Sequence, residues 1–207
     1  MKLNLANKLT IFRIILVPIM IIVTFFNIPG EFLGTPTVSW ILNLIFIIAS
    51  ITDKLDGYIA RSRNQVTTFG KFLDPIADKI LVITAMIILV EMGKLPAWIP
   101  TIVVFREFIV SGYRLIAVEK GGKVIAASIW GKLKTVTQMI AIILAFIDNN
   151  SFGAIFTNSL TGGYEIAINS LTTLMMIVSV IATIFSGIDY LKGGKELLKD
   201  KWKWKKK

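Results

Sequence analysis

Long apolar runs restrict what this chain can fold into more than any other feature. Residues 14–30, 32–52 and 166–188 contain no charged side chain, and each run is long enough to cross the roughly 30 Å hydrocarbon layer as a helix. Runs 76–93, 96–118 and 130–146 are also mostly apolar, although they include Asp78, Arg106 and Lys134. The sequence therefore predicts an all-α integral membrane protein with six transmembrane helices.

Lysine and arginine are distributed unevenly between the connecting segments. The connecting segments predicted on one side of the membrane contain a single basic residue, Lys94. The segments on the other side hold most of the 23 basic residues, including those from Lys192 onward. Because short cytoplasmic loops retain positive charge, both termini are predicted to be cytoplasmic. We expect one domain over residues 1–207, with a short interfacial helix before the first span and a basic tail at about 192–207. The first run lacks a small-residue cleavage site, which favours a spanning helix over a signal peptide.

Composition narrows the chemistry further. The chain has no cysteine and no histidine, which excludes thiol chemistry and the commonest general base. Its net charge of +10 lies on one face of a predicted membrane protein. Anionic membrane lipids or a phosphorylated substrate are therefore better partners than nucleic acid.

Acidic and small residues alternate near the end of the second run. On a helix, Asp53, Asp56, Gly57, Ala60 and Arg61 fall within one arc of roughly 140°. The small residues leave room on that arc for a bulky ligand, so the pattern predicts a binding groove.

A second stripe follows, with Gly70, Asp74 and Asp78 at spacings of four. These three share a face if one helix continues through them. Alternatively, Pro75 begins a helix that Asp74 caps.

Four converging carboxylates would repel one another in apolar surroundings unless a cation neutralised them. An oxygen-only ligand set favours Mg²⁺ or Mn²⁺, or Ca²⁺, over zinc. Two such ions can neutralise a pyrophosphate and orient the attacking and leaving oxygens. The alternative is that the aspartates only form interfacial ion pairs with the neighbouring basic residues Lys54, Arg61, Lys71 and Lys79.

The acidic spacing resembles a known signature. Asp53-x-x-Asp56-Gly57-x-x-Ala60-Arg61, eight residues, then Gly70-x-x-x-Asp74-x-x-x-Asp78 is similar to that of the CDP-alcohol phosphatidyltransferases. The resemblance implies that the four aspartates hold two metal ions and that Asp78 is also the catalytic base. It implies a homodimer, and it implies a CDP-diacylglycerol site around the following residues: Gly57, Ala60, Arg61, Thr67 and Gly70.

Basic residues within the later runs point to the acceptor. Arg106 and Arg114 lie within about 80° of each other on a helix, whereas Glu107 is expected on another face. With Lys132 and Lys134 they predict a site for a phosphorylated acceptor. The alternative is that Arg106 pairs with an acidic site residue and that the lysines are ordinary cytoplasmic charges.

Three further stretches, 7–13, 106–114 and 131–135, resemble the bacterial branch of this family that uses sn-glycerol 3-phosphate. The resemblance implies a multi-pass protein of the bacterial cytoplasmic membrane with its active site on the cytoplasmic side. Asn7, Thr10 and Arg13 are then expected beside the nucleotide or metal site, with Arg13 also a candidate for binding the acceptor phosphate. As the start of a surface helix they also have a purely structural explanation.

Several alternatives remain open. Other members of the family use inositol phosphate, serine or phosphatidylglycerol as acceptor. A membrane prenyltransferase also binds diphosphates through aspartates, but the four acids here lie closer together in sequence than two separate motifs would. A cation channel or transporter would place acids near the membrane centre in repeated halves, and neither feature is visible.

Overall fold

The computed structural model describes residues 5–26, 28–62, 68–119, 129–157, 160 and 162–193. Most of this part is helical, as the apolar runs predict. The helices are α1 Leu5–Thr24, α2 Thr37–Ser62, α3 Thr68–Glu91, α4 Trp98–Glu119, α5 Ile129–Ile147 and α6 Gly163–Gly193, with a 3₁₀ turn at Ala154–Thr157.

A small hairpin joins α1 to α2. Strands β1 (Glu31–Phe32) and β2 (Thr35–Pro36) are antiparallel. The turn residues Leu33 and Gly34 have φ values of 54° and 74°, and such paired positive values twist the backbone in the sense that a two-residue hairpin needs. Trp40 of α2 donates its indole N–H to the Phe32 carbonyl at 3.0 Å, so the hairpin packs on the start of α2.

The core lies where five helices meet. Met20 of α1, Phe46 of α2, Leu89 of α3, Phe146 of α5 and Met176 of α6 are fully buried. The Phe46 and Phe146 rings lie 6.4 Å apart, centroid to centroid. Helix α4 packs mainly against α6 and also against α3. These contacts hold the α3, α4, α5 and α6 side chains discussed below in one bundle.

The outward-facing surface is apolar. Large side chains such as Ile22, Phe105, Phe108 and Leu115 are half or more exposed, an arrangement that suits lipid rather than water. By length and composition, three helices of the described part can cross a membrane, at Asn7–Thr24, Ile129–Ile147 and Gly163–Lys192. The chain is thus an all-helical membrane protein. Six crossings and the cytoplasmic location of the termini remain predictions.

A buried polar network closes the end of the bundle where α3 and α5 finish. The Lys94 ammonium donates to the Phe146 carbonyl at 2.9 Å, and Asn169 donates to Asp148 at 2.8 Å. Burial lowers the pKa of Lys94 to about 8, although the nearby Asp148 carboxylate acts in the opposite direction. The network thus joins the α3–α4 loop, the end of α5 and α6 at one place.

Two sequence expectations differ from the structure. Helix α1 runs unbroken from Leu5, so the described residues show no separate interfacial helix before the first span. Helix α3 includes Pro75 as an interior residue, which removes the alternative in which Asp74 caps a new helix. Gly70, Asp74 and Asp78 therefore belong to one helix.

Candidate functional site

Two of the four aspartates are held by side chains of α1. The Thr10 hydroxyl donates to Asp74 Oδ1 at 2.7 Å. The Arg13 guanidinium lies 2.7 Å from Asp53 Oδ1, with the arginine side chain fully buried and the aspartate about one third exposed (34%). Arg13 also donates through Nε to the Ala49 carbonyl at 3.3 Å. Helix α1 therefore orients one carboxylate on α2 and another on α3.

Thr10 and Arg13 both contact carboxylates of the acidic site, and their expected roles toward the substrates stay predictions. Thr10 borders the acidic site, as expected, and Asn7 is buried one turn before it. Arg13 pairs with Asp53, which agrees with a place beside the acidic site, and it is not among the described residues that line the basic cavity. Arg13 and Asp53 are 40 positions apart in the sequence. The residues around Arg13 therefore gave no indication that it would contact a carboxylate.

The groove residues of α2 are only partly described. The backbone positions of Asp56, Gly57, Ala60 and Arg61 lie in α2, as predicted, but their side chains lie outside the described residues. Thr67 lies outside them altogether. Gly70 is buried in the first turn of α3.

The acidic residues suit a hard divalent cation by their chemistry. Within the described residues, no three acidic side chains group closely enough to hold a metal ion, and the Asp56 side chain is not among those residues. The Asp78 carboxylate interacts electrostatically with that of Asp53, and a cation between them would remove this repulsion. Oxygen donors fit Mg²⁺ or Mn²⁺.

A cavity of about 230 Å³ lies beside Asp78. Among the described residues, four cationic and two acidic ones line it, which gives this part of the lining a formal excess of two positive charges. The lining residues come from α3, α4, α5 and α6: Pro75, Asp78, Lys79, Val82, Ile83, Val103, Arg106, Glu107, Arg114, Gly131, Lys134, Thr135, Gln138, Met139 and Tyr190. Such a concave, cationic site beside a carboxylate suits an anionic ligand.

Glu107 is at the centre of the charged part of this cavity. Its Oε1 atom lies 2.7 Å from Arg106 Nη1 and 2.6 Å from Lys134 Nζ, and Oε2 lies 3.6 Å from Lys79 Nζ. The expectation that Glu107 faces away from the basic residues is therefore wrong. Arg106 and Glu107 reach one cavity because four helices surround it and both side chains are long.

Helix α6 completes the site from a distant part of the chain. Arg106 Nη2 donates to the Ser186 hydroxyl at 2.5 Å, and Arg114 donates to the Tyr190 hydroxyl at 2.9 Å. Both guanidinium groups lie 5.7 Å from the centroid of the Tyr190 ring, within cation–π range. Sequence reasoning missed Ser186 and Tyr190, although their spacing of four places them on one helix face.

The predicted acceptor residues separate into two groups. Arg106, Arg114 and Lys134 line the cavity, and their binding of an acceptor phosphate stays a prediction. Lys132 is exposed and is not part of the lining, because two residues on a helix correspond to a rotation of about 200°. Lys79, which sequence analysis considered only as a pairing partner for aspartates, takes a place in the lining instead.

Comparison with known proteins gives a consistent result. A family model described as CDP-alcohol phosphatidyltransferase matches residues 3–186. The chain is 39% identical over 203 residues to a Bacillus subtilis protein named CDP-diacylglycerol–glycerol-3-phosphate 3-phosphatidyltransferase, covering 95% of this chain and 97% of the relative.

Two further relatives come from other bacteria. A Haemophilus influenzae protein of the same name is 39% identical over 204 residues, covering 97% of this chain and 98% of the relative. A Mycobacterium tuberculosis protein named probable phosphatidylglycerophosphate synthase is 36% identical over 188 residues, covering 91% of this chain and 80% of the relative. The family match over residues 3–186 includes the four aspartates and most of the residues that line the cavity.

Proposed function

Because the chain belongs to the CDP-alcohol phosphatidyltransferase family, we propose that it transfers the phosphatidyl group of CDP-diacylglycerol to sn-glycerol 3-phosphate. The products are phosphatidylglycerol phosphate and CMP. The names of the relatives support this choice of substrates. The observation that carries it for this chain is the cationic cavity beside Asp78.

The cavity supports a phosphorylated acceptor through its charge. Its formal excess of two positive charges matches a phosphate monoester dianion. A neutral acceptor such as inositol, or a zwitterion such as serine, would leave that excess without a partner in a poorly hydrated site. Arg106, Arg114 and Lys134 are the residues proposed to bind the acceptor phosphate.

The proposed reaction is a direct displacement. Asp78, on the wall of the cavity, accepts the proton of the acceptor's 1-hydroxyl. The resulting oxygen attacks the lipid-side phosphorus of CDP-diacylglycerol. The bond from that phosphorus to the bridging oxygen breaks, and CMP leaves with the electron pair. No covalent enzyme intermediate is required.

The acidic residues are proposed to hold Mg²⁺ or Mn²⁺ at two positions. When bound, these ions would supply neutralisation of the pyrophosphate and of the charge that develops on CMP. Arg13 and Thr10 hold the Asp53 and Asp74 carboxylates in fixed orientations. The nucleotide would then lie over Gly57, Ala60 and Arg61, with Thr67, Gly70 and Asn7 at its edges.

An acceptor series tests the function. Purified protein is given CDP-diacylglycerol with glycerol 3-phosphate, inositol phosphate, inositol, serine or phosphatidylglycerol, and CMP release is measured. We expect turnover with glycerol 3-phosphate, and its loss in Asp78→Asn. Glu91→Gln is the matched control, since Glu91 is exposed at the far end of the same helix. Turnover with serine alone would contradict the acceptor assignment.

The stereochemistry at phosphorus tests the single displacement. Transfer from a donor whose reacting phosphorus is chiral should invert its configuration. Retention would instead require two displacements, and therefore a covalent enzyme intermediate.

We further propose a homodimer in the bacterial cytoplasmic membrane, with six crossings and the active site on the cytoplasmic side. Since the chain has no cysteine, single introduced cysteines report topology. Asn149→Cys should react with an impermeant thiol reagent from outside, whereas Lys132→Cys should react only after permeabilisation. The reverse labelling would contradict this orientation.

A further inference from the structure

One carboxylate in the cavity forms ion pairs with three cationic side chains from three helices. Glu107 of α4 contacts Arg106 of α4, Lys134 of α5 and Lys79 of α3, at 2.7, 2.6 and 3.6 Å. The side chain of Glu107 is only 13% exposed, and those of Arg106 and Lys134 are equally shielded. Lys79 is further held by the Ser111 hydroxyl, to which its ammonium donates.

The shared carboxylate fixes how close two of these cations lie. Arg106 Nη1 and Lys134 Nζ both contact Glu107 Oε1, so they cannot be farther apart than the sum of two hydrogen-bond lengths. At that separation two positive charges repel strongly in a poorly hydrated cavity. Without a negative charge between them, the two side chains would move apart.

Both cations keep hydrogen-bonding capacity for a ligand. Arg106 uses Nη1 for Glu107 and Nη2 for Ser186, and within the described part of the chain its buried Nε atom has no acceptor. The Lys134 ammonium has three N–H groups, and its one hydrogen bond among the described residues goes to Glu107. Both residues line the cavity, and the second N–H of each Arg106 Nη atom and two N–H groups of Lys134 have no acceptor among the described residues.

We infer that Glu107 is a positioning residue for the acceptor: its carboxylate holds Arg106 and Lys134 side by side so that their remaining donors meet the acceptor's anionic group. The inference rests on the proposed function, because it assumes that this cavity binds the acceptor. Glu107 itself does not bind the anion, since two anionic groups would repel each other. Its effect on the ligand passes through the two cations.

If Glu107 competed with the acceptor instead of positioning the cations, its removal would change the acceptor KM in the opposite direction. If Glu107 only competed with the acceptor for the same cations, its neutralisation would tighten acceptor binding. If it positions them, neutralisation weakens binding although the cavity becomes more positive. The direction of the change in acceptor KM therefore separates the two roles.

Glu107→Gln keeps the size of the side chain and removes its charge. We expect the KM for glycerol 3-phosphate to rise about tenfold, the loss expected for one hydrogen bond to a charged group, while the KM for CDP-diacylglycerol stays within about twofold. Glu91→Gln removes an acid from an exposed position and should change neither value. An unchanged or lower acceptor KM in Glu107→Gln, or an equal rise in both KM values, overturns the inference.

Binding measured without turnover separates this inference from the proposed function. The dissociation constant for inorganic phosphate, measured by calorimetry at pH 8, should also rise about tenfold in Glu107→Gln. If the wild-type protein binds phosphate in this way but does not use glycerol 3-phosphate, the proposed acceptor is wrong and the positioning role stands. Equal phosphate affinity in both proteins refutes the role regardless of the acceptor.

A double variant shows whether the effect passes through the cations. In a protein that already carries Lys134→Met, Glu107→Gln should raise the acceptor KM by much less than it does alone. Fully additive effects would overturn the inference. If Glu107→Gln does not fold, Glu107→Asp retains the charge on a shorter side chain. Its acceptor KM should lie above the wild-type value, and an unchanged value would also count against the role.

Discussion

Lys134 and Lys132 provide the sharpest test of the cationic cavity. They are two residues apart on α5, carry the same charge, and differ in where the helix places them. Lys134 is buried in the cavity lining, whereas Lys132 is exposed outside it. Each can be replaced by methionine, which has a similar length and no charge.

The structure sets the expected magnitude for Lys134→Met. A hydrogen bond to a charged group contributes about 1.5–3 kcal/mol, which corresponds to an increase of roughly 10- to 150-fold in a dissociation constant. For comparison, two unit charges 4 Å apart interact by about 4 kcal/mol at an effective dielectric constant of about 20. The expected loss in binding free energy is therefore smaller than the full interaction of one charge pair. Glu107 retains Arg106 and Lys79 as partners, so folding should survive the substitution.

Steady-state CMP release with varied glycerol 3-phosphate measures the effect. We expect Lys134→Met to raise the acceptor KM by roughly 10-fold or more, and Lys132→Met to leave it within about twofold, with the KM for CDP-diacylglycerol preserved in both. A loss as large in Lys132→Met as in Lys134→Met would refute the reasoning, because it would show that the charge of this face matters rather than the cavity.

Three further predictions concern stability and metal. Between pH 8 and 10.5 the unfolded chain holds the Lys94 proton more tightly than the folded chain does. Raising the pH across this window should therefore stabilise the protein by up to about 3 kcal/mol. Thermal unfolding in detergent should show this increase in stability with pH, and Lys94→Met should lose it. Gly30→Ala should destabilise by about 1–3 kcal/mol, because φ is +112° and the new Cβ would lie 2.9 Å from Thr37 Oγ1. Gly112→Ala, with open space around the new Cβ, should not. Chelation of divalent ions should abolish CMP release, and Mg²⁺ or Mn²⁺ should restore it whereas zinc should restore it poorly. Full activity in excess chelator would contradict the metal proposal.

Helical periodicity predicted the position of the acidic residues well. Asp53 and Asp56 lie in α2, and Asp74 and Asp78 lie in α3, because a spacing of three or four is a local property of helices. What these carboxylates bind remains a prediction. The sequence could not decide whether Pro75 begins or interrupts a helix, since proline is compatible with both, and packing decides in favour of one long α3.

The partners of these residues could not be predicted in the same way. Thr10 meets Asp74 across 64 positions, and Arg106 meets Ser186 across 80, so both contacts depend on how the helices pack. Glu107 is one residue from Arg106, which is a rotation of 100° on a helix. That rotation predicts a different face for Glu107, yet its side chain contacts Arg106 and Lys134. A cavity bounded by several helices accepts side chains over a wider arc than one helix–helix contact does.

If the proposed function is correct, the order of residues along α3 places the two substrate sites next to each other. Asp74 contacts Thr10 of α1, Asp78 interacts electrostatically with both Asp53 and Lys134, and Lys79 joins the Glu107 cluster. From Asp74 to Lys79 the helix rises only about 8 Å. A rigid helix thus fixes the distance between the acidic residues and the cations, with Asp78 between them. In the proposed reaction, an acceptor held by its anionic group among the cations would have to extend its hydroxyl as far as Asp78, so this spacing would select an alcohol by both its charge and its length.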